Sequence, residues 1–160
     1  MAKAKILNVA RRHDRAIEQC HEAIDLEPKF ASAFSVLAQA YAFHRQYPEA
    51  IEAAKKYVEI SGGTGWANLE LAYAYAVAGN KADSDRIVRE VTTQSKPFSP
   101  YDMATIRAAW HDTAGALRWL GRAIDQRSVD VVWIGVDPRL DNVRSDPRFR
   151  EVVARMIPRG

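Results

Sequence analysis

The sequence predicts an all-α fold: a solenoid of about four helix pairs closed by a C-terminal helical cap. Three observations lead there. Alanine is abundant, while the 8 glycines and 7 prolines fall between periodic segments rather than inside them. Apolar residues recur at helical spacing, as in Phe34, Leu37, Ala38 and Tyr41, and again in Ala50, Ile51, Ala54 and Val58. Small residues recur at long range: Ala16, Ala50 and Ser84 are 34 apart, and Ala116 follows after 32. A period of this length carrying a helix–turn–helix marks a solenoid, in which no helix pair can bury its stripe without a neighbour built the same way.

The elements follow in order. Residues 1–30 form an incomplete first repeat, with part of a helix A over 1–11 and a helix B from about Asp14 to Leu26, ended by Pro28. Residues 31–64 form the second and best copy. Residues 65–98 form the third, keeping Leu71, Tyr75 and Gly79 but placing Ser84 where alanine is usual. Residues 99–128 form the fourth, which departs most, with Arg107 and His111 at the tyrosine and turn positions. Alanine at 16, 50 and 116 lets helices A and B approach closely, since a larger side chain would hold their backbones apart. Gly62–Gly65 and Ser95–Pro100 read as loops. The glycine cluster lacks the leading strand and following Lys-Ser/Thr of a phosphate cradle. From Val129 the period stops, and 129–160 is the capping segment. Its Val131–Ile134 run is compatible with strand or helix. Asp137-Pro138 and Asp146-Pro147 each pair an N-cap with a proline at the first helical position, so each starts a helix, the last running to about Met156.

The recurring pattern of a large residue, then Leu, a small residue and Tyr in helix A, then Ala, a large residue and a closing Pro around helix B, with Gly62 in place of that proline in repeat 2, resembles the tetratricopeptide repeat over residues 1 to about 126. The resemblance implies a right-handed α–α superhelix whose A helices line a concave groove. Carried onto this sequence, it places Ser32, Ser35, Gln39, Ala42 and Phe43 on that groove in repeat 2. Repeat 3 contributes Trp66, Leu69, Tyr73, Ala76 and Val77, and repeat 4 Phe98, Tyr101, Thr105, Ala108 and Ala109. The peptide-binding candidates are Gln39, Phe43, Trp66, Tyr73, Val77, Tyr101 and Thr105, an aromatic and small-polar lining suited to an apolar or helical peptide. The plain alternative is that Trp66, Phe98 and Tyr101 only pack against loops or the cap. The positions at which some members of this fold grip a chaperone's terminal carboxylate are Met1, Lys5, Val36, Gln39, Trp66 and Glu70, and only Lys5 suits that task. The tail, Val136-Asp-Pro-Arg-Leu and then Arg144-Ser-Asp-Pro-Arg-Phe, resembles the C-terminal end of a bacterial repeat family. There the repeats follow a winged-helix DNA-binding, cyclase-like or serine/threonine kinase domain. This implies either the regulatory module of a larger bacterial protein or a free-standing relative, and the incomplete first repeat leans towards the former.

Chemistry is not expected. His13, His21, His44 and His111 lie far apart in the repeat register and have no cysteine pair beside them, so neither a metal nor another cofactor is expected. No nucleophile or metalloprotease motif occurs. The single cysteine, Cys20, falls on a packing position of helix B and excludes an internal disulfide framework. A net charge of +3 is too small to argue for nucleic acid, and the C-terminal arginines alternate with Asp137, Asp141, Asp146 and Glu151. That pattern reads as a solvated, ion-paired surface, with a weak patch for an acidic partner as the functional alternative. No apolar run reaches membrane-spanning length and the N-terminus lacks a signal-peptide pattern, which fits a cytoplasmic location. The expected role is therefore non-catalytic: a scaffold binding a protein or peptide partner in its groove. Two alternatives stand beside it: self-association into a homo-oligomer through the incomplete first repeat, and a small-molecule sensor using the concave aromatics.

Overall fold

A computed structural model describes residues 1–94 and 97–156, whose regular structure is entirely helical, without a strand. They divide into two compact units, residues 1–97 and 98–160. The first contains α1 (Ala2–Val9), α2 (His13–Leu26), α3 (Ala31–Phe43), α4 (Tyr47–Ile60), α5 (Gly65–Val77) and α6 (Lys81–Thr93). The second contains α7 (Pro100–Ala109), α8 (Thr113–Asp125), 3-10 turns over Val129–Trp133 and Pro138–Leu140, and α9 (Pro147–Ala154).

The 34-residue period is written into the backbone as well as the side chains. Each turn between the helices of a pair carries one residue in the left-handed region: Arg11, Arg45, Gly79 and His111, with φ of 58°, 61°, 82° and 59°. The amide one residue later closes the same bond each time. Arg12 donates to Leu7 O, Gln46 to Tyr41 O, Asn80 to Tyr75 O and Asp112 to Arg107 O, all at 2.8–2.9 Å. These are Schellman closures, which satisfy the orphan carbonyls at a helix C-terminus. Three of the four use a residue with a Cβ, so the turn is held by its context at some conformational cost rather than by glycine alone.

Packing in the first unit follows from the small residues. Ala16, Ala50 and Ala54 are wholly buried where paired helices meet. Ser84 takes the equivalent place in α6, also wholly buried, and its hydroxyl donates to Ala72 O at 2.7 Å. The hydroxyl is therefore satisfied within the contact that alanine makes elsewhere. Each helix packs on the next, and α3 also packs on both α1 and α5, so these three form one row and α2 and α4 sit between their neighbours behind it. This is a helical repeat arrangement.

The second unit has one α7–α8 pair and the tail that covers it. Ala104, Ala108, Ala116, Leu120 and Ala123 from the pair meet Ile134, Leu140, Val143 and Phe149 from the tail in one buried cluster. The Val131–Ile134 run, open between strand and helix from sequence, is a 3-10 turn that delivers Ile134 to this core. Both Asp-Pro pairs start helical turns. Asp137 accepts from the Arg139 amide and Asp146 from the Arg148 amide. The loop boundaries need correcting at two points. Thr64 is the N-cap of α5 and Gly65 its first residue, buried; Ser99 caps α7, which Pro100 begins. Ser95 and Lys96 lie outside the described residues.

Candidate functional site

The α1–α3–α5 row of the first unit offers the surface on which the sequence places a groove. Two side-chain bonds knit the row: Asn8 Nδ2 donates to Val36 O at 3.1 Å, and Gln39 Nε2 donates to the Glu70 carboxylate at 2.9 Å. Between α1 and α3, with Tyr57 of α4 at its edge, lies a cleft of about 270 Å3 lined by Met1, Ala2, Lys5, Ser32, Ser35, Val36, Gln39 and Tyr57. A lysine, three hydroxyls and an amide converge there, a set able to bind the backbone and carboxylates of an extended or helical segment.

The seven candidate residues do not share one environment. Gln39 is partly exposed and lines the cleft. Phe43 is half-buried, with its ring 5.2 Å from that of His13 on α2. Burial, followed by the charges of His44 and Arg11 and opposed by Asp14, lowers the His13 pKa below its ordinary value, so this imidazole is held towards its neutral form. Trp66 is 48% exposed at the start of α5, and Val77 at the end of that helix is half-buried. Tyr73 is only 5% exposed, although it stands at the register position of Gln39. In the second unit Tyr101 is wholly buried and Thr105 is 1% exposed. The Thr105 hydroxyl donates back to Asp102 O at 2.8 Å. The expectation that Tyr73, Tyr101 and Thr105 present open binding surface is therefore corrected: in this structure they are core residues. Phe98 likewise packs, edge on, against Trp119 at 6.0 Å.

Tyr101 is buried because the tail closes over it. Its hydroxyl donates to Asp137 Oδ2 at 3.1 Å, and Arg139 lies 5.7 Å above its ring while gripping the same carboxylate through Nε and Nη2 at 3.0 and 2.8 Å. Burial alone would raise the Asp137 pKa, but the Arg139 charge and hydrogen bonds outweigh it and hold the carboxyl below its usual range. Burial, then the Asp137 charge, pushes the Tyr101 phenol well above its own. Departure from the repeat pattern at residue 107 has a similar explanation. Arg107 stacks on Trp110 at 4.7 Å and reaches Asp112 at 3.6 Å, tying the α7–α8 turn together.

Sequence reasoning set Lys5 aside because its partners for a carboxylate clamp are missing, yet it lines the cleft. The signal was present, since Lys5 precedes Gln39 by one period of 34 residues. Tyr57 was out of reach, because it lies on a B helix and enters the cleft only through packing. Among the described residues no group of three or more His, Cys, Asp or Glu side chains could hold a metal ion, and no helix is long and apolar enough to cross a membrane. Cys20 is wholly buried, and burial pushes its thiol up to about 11. No protein-family model matches the sequence, and no curated protein matches it at a significant level.

Proposed function

We propose that the chain is a tetratricopeptide-type interaction module, without catalytic activity, that holds a peptide or helix of a protein partner along the α1–α3–α5 row. The proposal extends to a regulatory setting within a bacterial signalling or transcription protein, on the strength of the Ser145-Asp-Pro-Arg-Phe149 ending. The observation that carries it is the cleft where Lys5, Ser32, Ser35 and Gln39 converge, with Trp66 48% exposed at the α5 position equivalent to Ser32. An exposed indole on such a row is an anchor of the kind that dominates interfaces, and the polar cleft supplies orientation. A photo-crosslinking residue at Ser35 tests this in cells of the source organism. A discrete adduct lost on Trp66→Ala supports the groove, and an adduct of unchanged yield in that variant refutes the role of Trp66.

Self-association is the second reading, and it has its own observation. Ile6 on α1 is 57% exposed and Leu26, the last residue of α2, is 89% exposed, both in the first helix pair. Exposed apolar side chains on a helical repeat offer an assembly site. Light scattering during size-exclusion chromatography decides it: a monomer at micromolar concentration removes this reading.

A further inference from the structure

A second cleft, of about 490 Å3, lies within the second unit between α8 and α9. Its floor is apolar, from Leu117 and Val152. Four arginines reach its rim, and they differ in what they hold. Arg148 is spent on Asp146, through Nε and Nη2 at 2.9 and 2.7 Å. Arg155 is paired with Asp125. The Arg155 guanidinium passes close over Gly121, where a Cβ would stand 2.8 Å from one of its nitrogens. Arg118 and Arg122 are different. Both are exposed, and neither forms an ion pair with any described residue. They lie four residues apart on α8, hence on one face. Arg122 is also held in place, its guanidinium 4.6 Å over the Trp119 ring. Stacking uses the face of a guanidinium and leaves its N–H edge to donate, so this arginine is positioned for a carboxylate at little further entropic cost.

We infer that the α8–α9 cleft docks an acidic, partly apolar peptide segment of a protein partner, with carboxylates paired to Arg118 and Arg122 and an apolar side chain resting on Leu117 and Val152. Charge complementarity argues for this occupant. One guanidinium fork held by stacking, that of Arg122, and a second one turn away, that of Arg118, lie beside an apolar floor, and bidentate arginine–carboxylate pairs are the strong class of charged hydrogen bond. A nucleic acid strand fits less well. Asp125 and Glu151 also line the cleft and would repel a continuous run of phosphates, whereas a peptide can set its carboxylates against Arg118 and Arg122 and apolar side chains elsewhere. Across residues 98–160, 10 arginines are nearly balanced by 8 acidic residues, leaving little field to hold a polyanion. This site is independent of the α1–α3–α5 row and goes beyond the function proposed there.

The test is selection of a displayed library of random peptides, about 16 residues long, on the full chain. The enriched peptides are expected to carry Asp or Glu at four-residue spacing next to apolar residues, the complement of the α8 face. A synthetic copy of the most enriched peptide, followed by fluorescence anisotropy at about 50 mM salt, should lose at least about tenfold in affinity when Arg118→Glu and Arg122→Glu are combined. Arg118→Glu alone should give a smaller loss in the same direction, which separates lost binding from any loss of the Trp119 stack. Trp66→Ala should change nothing, so this result stands or falls apart from the groove reading. Enriched peptides without acidic residues, or equal affinity in the double variant, would overturn the inference. So would equal weakening by Trp66→Ala, or displacement of the peptide by a single-stranded oligonucleotide at lower concentration than the peptide itself requires.

Discussion

Removing the Asp137 carboxylate should release the tail from α7. The Arg139 side chain is 8% exposed and that of Asp137 is 6% exposed, so their pair is buried. Breaking such a pair from one side costs about 3–5 kcal/mol, because the surviving charge stays desolvated. Asp137→Ala also leaves the Tyr101 hydroxyl and the Arg139 amide without their acceptor. Asp102, 3.7 Å from Arg139, remains to take part of the charge, which places the expected loss near the lower end, at about 3 kcal/mol. Tyr101→Phe removes only one hydrogen bond to a charged acceptor and leaves the ion pair intact, so the loss should sit at the low end for such a bond, about 1.5 kcal/mol. A unit of about 60 residues commands roughly 3–9 kcal/mol in total, so the first change should unfold or nearly unfold it while the second leaves it folded. Urea titration followed by tryptophan fluorescence reads this directly, since Trp110, Trp119 and Trp133 all lie in the second unit. If Asp137→Ala costs no more than Tyr101→Phe, the network does not fasten the tail and the reasoning fails. The pH dependence gives a second check. The folded carboxyl has a lowered pKa. Its contribution is therefore present above the ordinary aspartate value of about 4 and is lost as the pH falls through the lower folded value. The stability gap between the wild type and Asp137→Asn should narrow only below about pH 4.

Other outcomes follow from single positions. Arg45 sits at φ 61° in a turn where its counterpart one period later is Gly79, so Arg45→Gly should raise stability by up to about 1 kcal/mol and Gly79→Ala should lower it by a similar amount, as measured by thermal melting. Cys20, buried and with its thiol raised to about 11, should react with a disulfide reagent at pH 8 only as fast as the chain unfolds; rapid labelling in native buffer would show the site to be open. Gly121→Ala should stabilise α8 by about 0.5–1 kcal/mol, since the atom it crowds is the end of a flexible, half-exposed arginine whose surface ion pair is worth little; a melting temperature below that of the wild type would show the Arg155–Asp125 pair to matter more than this.

Much of this architecture was legible in the residues because its causes are local. Helical spacing of Phe34, Leu37 and Tyr41, small residues at 16, 50 and 116, and proline after aspartate at 137 and 146 each act within a turn or two of helix. Their recurrence at 34 residues was enough to predict paired helices and a covered end. The candidate binding residues were legible only by register, and register does not determine exposure. Gln39 and Tyr73 occupy equivalent positions, yet Gln39 lines a cleft while Tyr73 is 5% exposed.

The sequence by itself determined the helix pairs, their period and the start of each turn in the tail, since these depend on hydrophobic spacing, capping residues and backbone conformation close along the chain. Tertiary structure alone decided which of those helices keep a free face. Tyr101 passes from a candidate contact to a core residue through Asp137, 36 positions later in the chain, and Arg118 and Arg122 differ from the other arginines of their cleft only because no described carboxylate reaches them. Such facts depend on long-range packing and on which charges find partners, and no window of sequence short enough to show periodicity contains both members of the pair.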